Sequence, residues 1–183
     1  MQSLVQIIDT IMVGRLGPEQ IAAIGLGNTL RMFVFILVMS VAAGSMSLVA
    51  QAKGGRDSLR ISFISRQSLI SGLIVSLILA LIGILISYPV LNVMEQGGNA
   101  NVVDMAYSYL IILFLGTPFL LLNFVVERLM QGAGDMKTPL YLNAVTIVLN
   151  ILLNYILIFG MGPIPSLGLN GAAFGTILAR ALS

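Results

Sequence analysis

The sequence predicts an all-α fold, a polytopic bundle of membrane-spanning helices. Three observations carry this. Of the 183 residues, 58% are hydrophobic and only 9% are charged, against about 25% charged in an ordinary soluble domain. A domain of this size has too little interior to hide that much apolar surface from water, so lipid must supply part of its solvent. The apolar residues also fall into long runs divided by short links rich in Gly, Pro and charge, the pattern of helices about 20 residues long that cross a bilayer.

Six segments follow in order. The first runs from Met1 to about Gly14 and ends at Gly14-Arg15-Leu16-Gly17. Pro18 suits the opening turn of the second, where a missing N–H costs nothing; that segment extends from about Glu19 to Ala50. Lys53 to Asp57 reads as a charged, Gly-containing loop. The third covers about Ile61 to Ser87 and is expected to stop near Pro89. A polar loop, Asn92 to Asn101, leads to the fourth, about Asp104 to Met130, which Pro118 should kink. Gln131 to Lys137 is a second charged loop. The fifth runs from near Pro139 to near Gly160, and a Pro/Gly link over Met161 to Asn170 precedes the sixth, near Gly171. The first and last are shorter than a span needs. The chain is therefore expected to be one domain, residues 1–183, incomplete at both ends with its terminal helices truncated.

Positive charge sorts by side. Lys53, Arg56, Arg60, Arg66, Arg128, Lys137 and Arg180 lie at one end of the helices, and only Arg15 at the other. The positive-inside rule places the 53–66 and 128–137 loops in the cytoplasm, as in a multi-pass protein of the cell membrane. Two echoes relate these ends. Gln51-Ala-Lys-Gly-Gly-Arg-Asp57 resembles Gln131-Gly-Ala-Gly-Asp135. Leu16-Gly17 with Ala22-Ala23-Ile24-Gly25 resembles Leu167-Gly168 with Ala172-Ala173-Phe174-Gly175, the kind of internal repetition found in secondary transporters.

Composition excludes several chemistries. With no cysteine and no histidine, there is no thiol, disulfide or imidazole chemistry. No basic face interleaved with aromatics points to nucleic acid. Gly132-Ala133-Gly134 lacks the spacing and the Lys-Ser/Thr of a phosphate-binding loop. No nucleophile–base pair suggests an enzyme.

Polar residues inside apolar runs are the candidates for function. Asp9 sits in Leu4-Val5-Gln6-Ile7-Ile8-Asp9-Thr10-Ile11-Met12-Val13. An ionised carboxylate at membrane depth costs at least about 2.5–3.5 kcal/mol and normally faces a cavity or partner. Asn143, Asn150 and Asn154 share one face of the fifth segment by their spacing; interhelical hydrogen bonding is the plainer role for such residues. Counted from the outer ends, Asp9, Asn154 and Thr176 fall at similar depth, with Asn150 one turn deeper. A carboxylate, two amides and a hydroxyl at one level make an oxygen-rich site. Such ligands suit a hard cation such as Na⁺, and the carboxylate could instead take a proton. Arg31 reads as a snorkelling side chain, and Glu127 and Arg128 as interfacial charges. Most of the ten methionines read as lipid-facing packing. Gly25 with Gly27, and Gly44 with Ser45 and Ser47, are expected at close helix contacts.

Several motifs are familiar in combination. Asp9 to Gly17 followed by Ala22-Ala23-Ile24-Gly25, Leu48-Val49-Ala50-Gln51 with Gly54-Gly55, Gln131 to Pro139, Asn150-Ile-Leu-Leu-Asn154-Tyr155, and Leu167-Gly168 with Gly171-Ala172-Ala173 resemble the multidrug and toxic compound extrusion (MATE) family, in order and over nearly the whole chain. The resemblance implies twelve helices in two six-helix lobes around a cavity that opens alternately to each side, with this chain as most of the amino-terminal lobe and the carboxy-terminal lobe as its missing partner. It implies export of small organic cations, drugs or metabolites, in exchange for Na⁺ or H⁺, with no other cofactor. It assigns Asp9, Asn150, Asn154 and Thr176 to a cation-coupling site. Some members carry a carboxylate where this chain has Asn154, so Asp9 would be the site's only acid, which weakens two-carboxylate proton coupling. Two other readings stay open: a flippase for lipid-linked oligosaccharides on a related scaffold, which would favour a basic cavity that Arg31 alone does not make, and a non-transporting membrane scaffold.

Overall fold

The computed structural model describes residues 8, 10–94, 100–161 and 165–182. A helical stretch over 10–14 (α1) leads through a turn to α2 (Pro18–Gly54) and α3 (Ser58–Met94). Then come α4 (Ala100–Leu115), α5 (Thr117–Gly132), α6 (Lys137–Phe159) and α7 (Gly168–Ala181). α2, α3 and α6 are long and apolar enough to cross a membrane; α4 and α5 are so only when taken together, as a pair bent by 47° at the break between them.

Two predicted boundaries are corrected. The third segment does not stop near Pro89: α3 continues to Met94 with Pro89 inside it. Packing outweighs the lost backbone bond here, because the extra turn carries Leu91 fully into the core. The fourth segment bends by 47°, as Pro118 predicts, but it is not one continuous helix. It is two helices divided at Gly116, and Pro118 lies in the opening turn of α5, where a missing N–H is no loss. The Thr117 hydroxyl donates to the Leu113 carbonyl at 3.3 Å across the break. The break also divides the interior. One apolar cluster joins Val13, Ala23 and Leu91 to Val102–Phe114 and Ala173. The other joins Val38, Ala42 and Val49 to Leu121, Phe124 and Val125.

Small residues set how closely the helices approach. Ser68, Gly72, Ser76 and Ala80 recur every fourth residue on the buried face of α3, while Leu73, Leu77 and Leu81 face outward. Interfaces between helices in lipid favour such stripes because they let backbones approach. The expectation for the α2 glycines holds only in part. A methyl at Gly27 would meet the Tyr109 ring at 3.1 Å, whereas Gly25 and Gly44 have nothing within 4 Å.

The echo at the basic end is a structural one, in a shifted register. Asp57 N–H donates to Ala52 O and Arg56 N–H to Lys53 O; Asp135 N–H donates to Met130 O and Gly134 N–H to Gln131 O. Arg56 and Gly134 are both left-handed, with φ 54° and 82°. Each is the left-handed residue of a Schellman stop. Asp57 then accepts from Arg60 N–H at 2.9 Å, and Asp135 from Lys137 and Thr138 N–H at 3.1 and 3.0 Å. Each turn thus ends one helix and caps the next, with Gly54 matching Gly132 and Lys53, not Gln51, matching Gln131. Lys53 Nζ donates to the Ala133 carbonyl, tying the two turns together.

These caps predict a pH response. Hydrogen bonds from the Thr138 side chain and backbone hold the Asp135 carboxyl below its usual value of 3.8. A lowered folded-state value means the carboxylate stabilises the fold above the unfolded pKa, and the contribution disappears as pH falls through the folded one. Asp135→Ala should therefore lower the thermal midpoint at neutral pH. The gap to wild type should close in acid, as read from melting curves across pH.

Candidate cation site

α6 and α7 form an antiparallel hairpin, closed where Leu167 N–H donates to the Leu157 carbonyl at 2.9 Å. Glycines let the two backbones touch. A methyl at Gly171 would lie 2.6 Å from the Leu157 carbonyl carbon and 2.9 Å from Ile158 N. One turn on, a methyl at Gly175 would lie 3.1 Å from both Asn154 Cγ and Asn154 N, with Oδ1 nearer still. α7 is therefore moulded around the Asn154 side chain.

A directed chain of hydrogen bonds follows. Asn154 Nδ2 donates to Asn150 Oδ1 at 3.3 Å, and Asn150 Nδ2 to Thr176 Oγ1 at 3.3 Å. The Thr176 hydroxyl donates to the Ala172 carbonyl at 2.9 Å. Asn154 is wholly buried and Asn150 is 3% exposed. The two amide bonds are longer than the usual 2.9–3.0 Å, so the amides sit in a network that is made but not tight. The network holds three side-chain oxygens, the two amide oxygens and the hydroxyl, each with lone pairs suited to a hard cation.

The structure brings Asn150, Asn154 and Thr176 together. Asp9 lies outside the described residues. The register of the hairpin agrees with the predicted depths of Thr176 and the two asparagines: Gly171 lies against Leu157 and Ile158 and Gly175 against Asn154, so Thr176 is within a residue of the level of Asn154 and Asn150 is about a turn deeper. Asn143 does not join the site, since its Nδ2 donates to Pro139 O within its own helix at 2.9 Å. Gly171 and Gly175, which shape the site, were read only as part of a family-like motif and of an echo, respectively. Their signal was the four-residue small-residue spacing that permits close helix contact.

The remaining membrane charges resolve differently. Glu127 pairs with Arg180 of α7 at 3.8 Å, the two side chains only 13% and 14% exposed. Arg128 donates to Gln131 Oε1 at 2.9 Å. Arg31 is half-buried on α2, on the side that carries Gly27, Val38 and Ala42 into the core.

The MatE family model matches residues 1–156. The chain belongs to the MatE family. The probable multidrug resistance protein YoeA of Bacillus subtilis is 32% identical over 180 residues, covering 98% of this chain and 38% of its own length. An outward-facing multidrug resistance MATE family transporter of the MOP superfamily matches with TM-score 0.90 and 28% identity, over 99% of this chain and 39% of that one. An inward-facing one matches with TM-score 0.84 and 29% identity, over 100% and 40%. The chain spans about two-fifths of the length of the relatives it matches, and like them it is a multi-pass membrane protein.

Proposed function

We propose that this chain forms one lobe of a multidrug exporter, the amino-terminal one, which moves small organic cations out of the cell in exchange for Na⁺ or H⁺. The observation that carries this reading is the buried Asn154–Asn150–Thr176 network. Buried polar groups in membrane helices are costly and mark ion or substrate paths when they are not lone interhelical bonds. Here three side-chain oxygens belong to one hydrogen-bonded network beside Gly171 and Gly175, which leave room for nothing larger. Asp9, in the family-like motif of the first segment, supplies the only candidate carboxylate for this site.

In this reading the oxygens of Asn150, Asn154 and Thr176 hold a metal cation, and Asp9 supplies charge or takes the proton. Ion occupancy biases the lobe between two conformations only to the extent that affinity differs between them. The test is export of a fluorescent cationic dye by the complete transporter in proteoliposomes, driven by a Na⁺ or pH gradient. Losing a hydrogen bond or ligand to a charged group costs about 1.5–3 kcal/mol, or roughly ten- to hundredfold in affinity. Asp9→Asn should abolish gradient-driven export, and Thr176→Val should raise the Na⁺ needed for half-maximal export about tenfold or more. Undiminished export in Asp9→Asn under both gradients sinks the proposal.

A further inference from the structure

We infer that the elbow between α4 and α5 is coupled to Na⁺ at the polar network, with Ile177 and Gly116 as the positioning residues that transmit the coupling. The inference rests on the proposed cation site and adds a route out of it. Gly116 has ordinary helical angles, φ −81° and ψ −9°, so its backbone does not require glycine. Space does. A methyl there would lie 2.5 Å from Ile177 Cδ1 and 3.2 Å from Cγ2. The hollow at the elbow is filled by the residue that follows Thr176.

α7 works as a strut with two faces. Gly171 and Gly175 press one face against α6 and around Asn154. Ala173, Ile177 and Arg180, spaced four and three residues apart, carry the other face along α4 and α5. Ala173 is fully buried in the cluster beyond the break, and Ile177 seats at the break itself. On the α5 side, the Arg180 guanidinium lies 5.2 Å over the Phe124 ring, and Asn123 Nδ2 donates to the Arg180 carbonyl at 2.8 Å. The elbow is also the boundary between the two apolar clusters, so a change in its angle moves one half of the interior against the other. A cation that takes lone pairs from Thr176 Oγ1 and Asn150 Oδ1 reorders a network whose hydroxyl is tied to the α7 backbone at Ala172. A short helix in close contact on both faces moves as a body, so Ile177 moves with Thr176. Neither an amide nor an alcohol hydroxyl titrates at working pH, so this route responds to a metal cation and not to a proton.

Spin labels test it directly, because this chain has no cysteine of its own. Labels introduced at Asp104 and Met136, both exposed, straddle the elbow in the complete transporter in nanodiscs. Adding Na⁺ at constant pH, balanced with N-methyl-glucamine, should shift the distance distribution. Thr176→Val should move both the shift and Na⁺ binding to about tenfold higher Na⁺ or beyond. Ile177→Ala should keep Na⁺ binding, read with radioactive sodium, yet lose the shift; Ile177→Val should lose it in part and serves if the alanine variant misfolds. Na⁺ binding with no shift in the wild type, or an undiminished shift in both Ile177 variants, overturns the coupling and leaves the site standing. No Na⁺ binding at all overturns the coupling and the Na⁺ reading together, while proton-driven export through Asp9 survives.

Discussion

Replacing Gly175 with alanine is expected to abolish Na⁺ binding at the polar network and to cost the fold about 1–3 kcal/mol, the usual penalty for overpacking. The added methyl would meet Asn154 on three atoms, one of them the backbone nitrogen at 3.1 Å. A side chain can turn away; the α6 backbone cannot. α6 and α7 must therefore part, and the contact that follows in sequence is the 3.3 Å bond from Asn150 to Thr176, already long for an amide donor. The control is built into the chain. Counted from the residues that open their helices, Gly17 for α2 and Leu167 for α7, Gly25 is the counterpart of Gly175. Nothing lies within 4 Å of a methyl at Gly25. Gly25→Ala should bind Na⁺ as the wild type does and stay within about 0.5 kcal/mol of its stability. Isothermal titration with Na⁺ and unfolding in mixed micelles measure both. Equal Na⁺ affinity in Gly175→Ala and Gly25→Ala would show that the crowding at Asn154 does not matter to binding.

That pairing shows what was legible in the sequence. Ala22-Ala23-Ile24-Gly25 and Ala172-Ala173-Phe174-Gly175 are visible as an echo, and Ala23 and Ala173 are equally buried in the structure. Yet one glycine is crowded and the other open, because only α7 has an antiparallel neighbour with an asparagine at the matching level. Pattern gives the face of a helix; it does not give what stands opposite.

The spans were legible because hydropathy decides them nearly alone. The elbow was legible only as a proline. Pro118 marked the place, but the division falls at Gly116, where a neighbouring helix needs the room. Pro89 gave a false stop because burial of Leu91 outweighs one missing hydrogen bond. The Glu127–Arg180 pair joins residues on separate helices far apart in sequence, and no local pattern reports such a contact.

Gly132→Val should be the most damaging single change at the basic end, destabilising the bundle by about 3 kcal/mol, at the upper end of what overpacking costs. The first carbon added at Gly132 would sit 2.6 Å from the Met46 carbonyl oxygen and 3.2 Å from Val49 Cβ. Both belong to the fixed part of α2, so relief requires α2 and α5 to separate. Separation exposes Val49, Val125 and Leu129 of the second apolar cluster. It also draws Lys53 away from the Ala133 carbonyl that it holds across the two turns. The matched turn again supplies the control. Gly54 occupies the same position before its Schellman stop, and nothing lies within 4 Å of a methyl there. Gly54→Ala should be neutral within about 0.5 kcal/mol. Unfolding in mixed micelles compares the two, and a Gly132→Val protein as stable as Gly54→Ala would mean that α2 and α5 do not meet where the structure puts them.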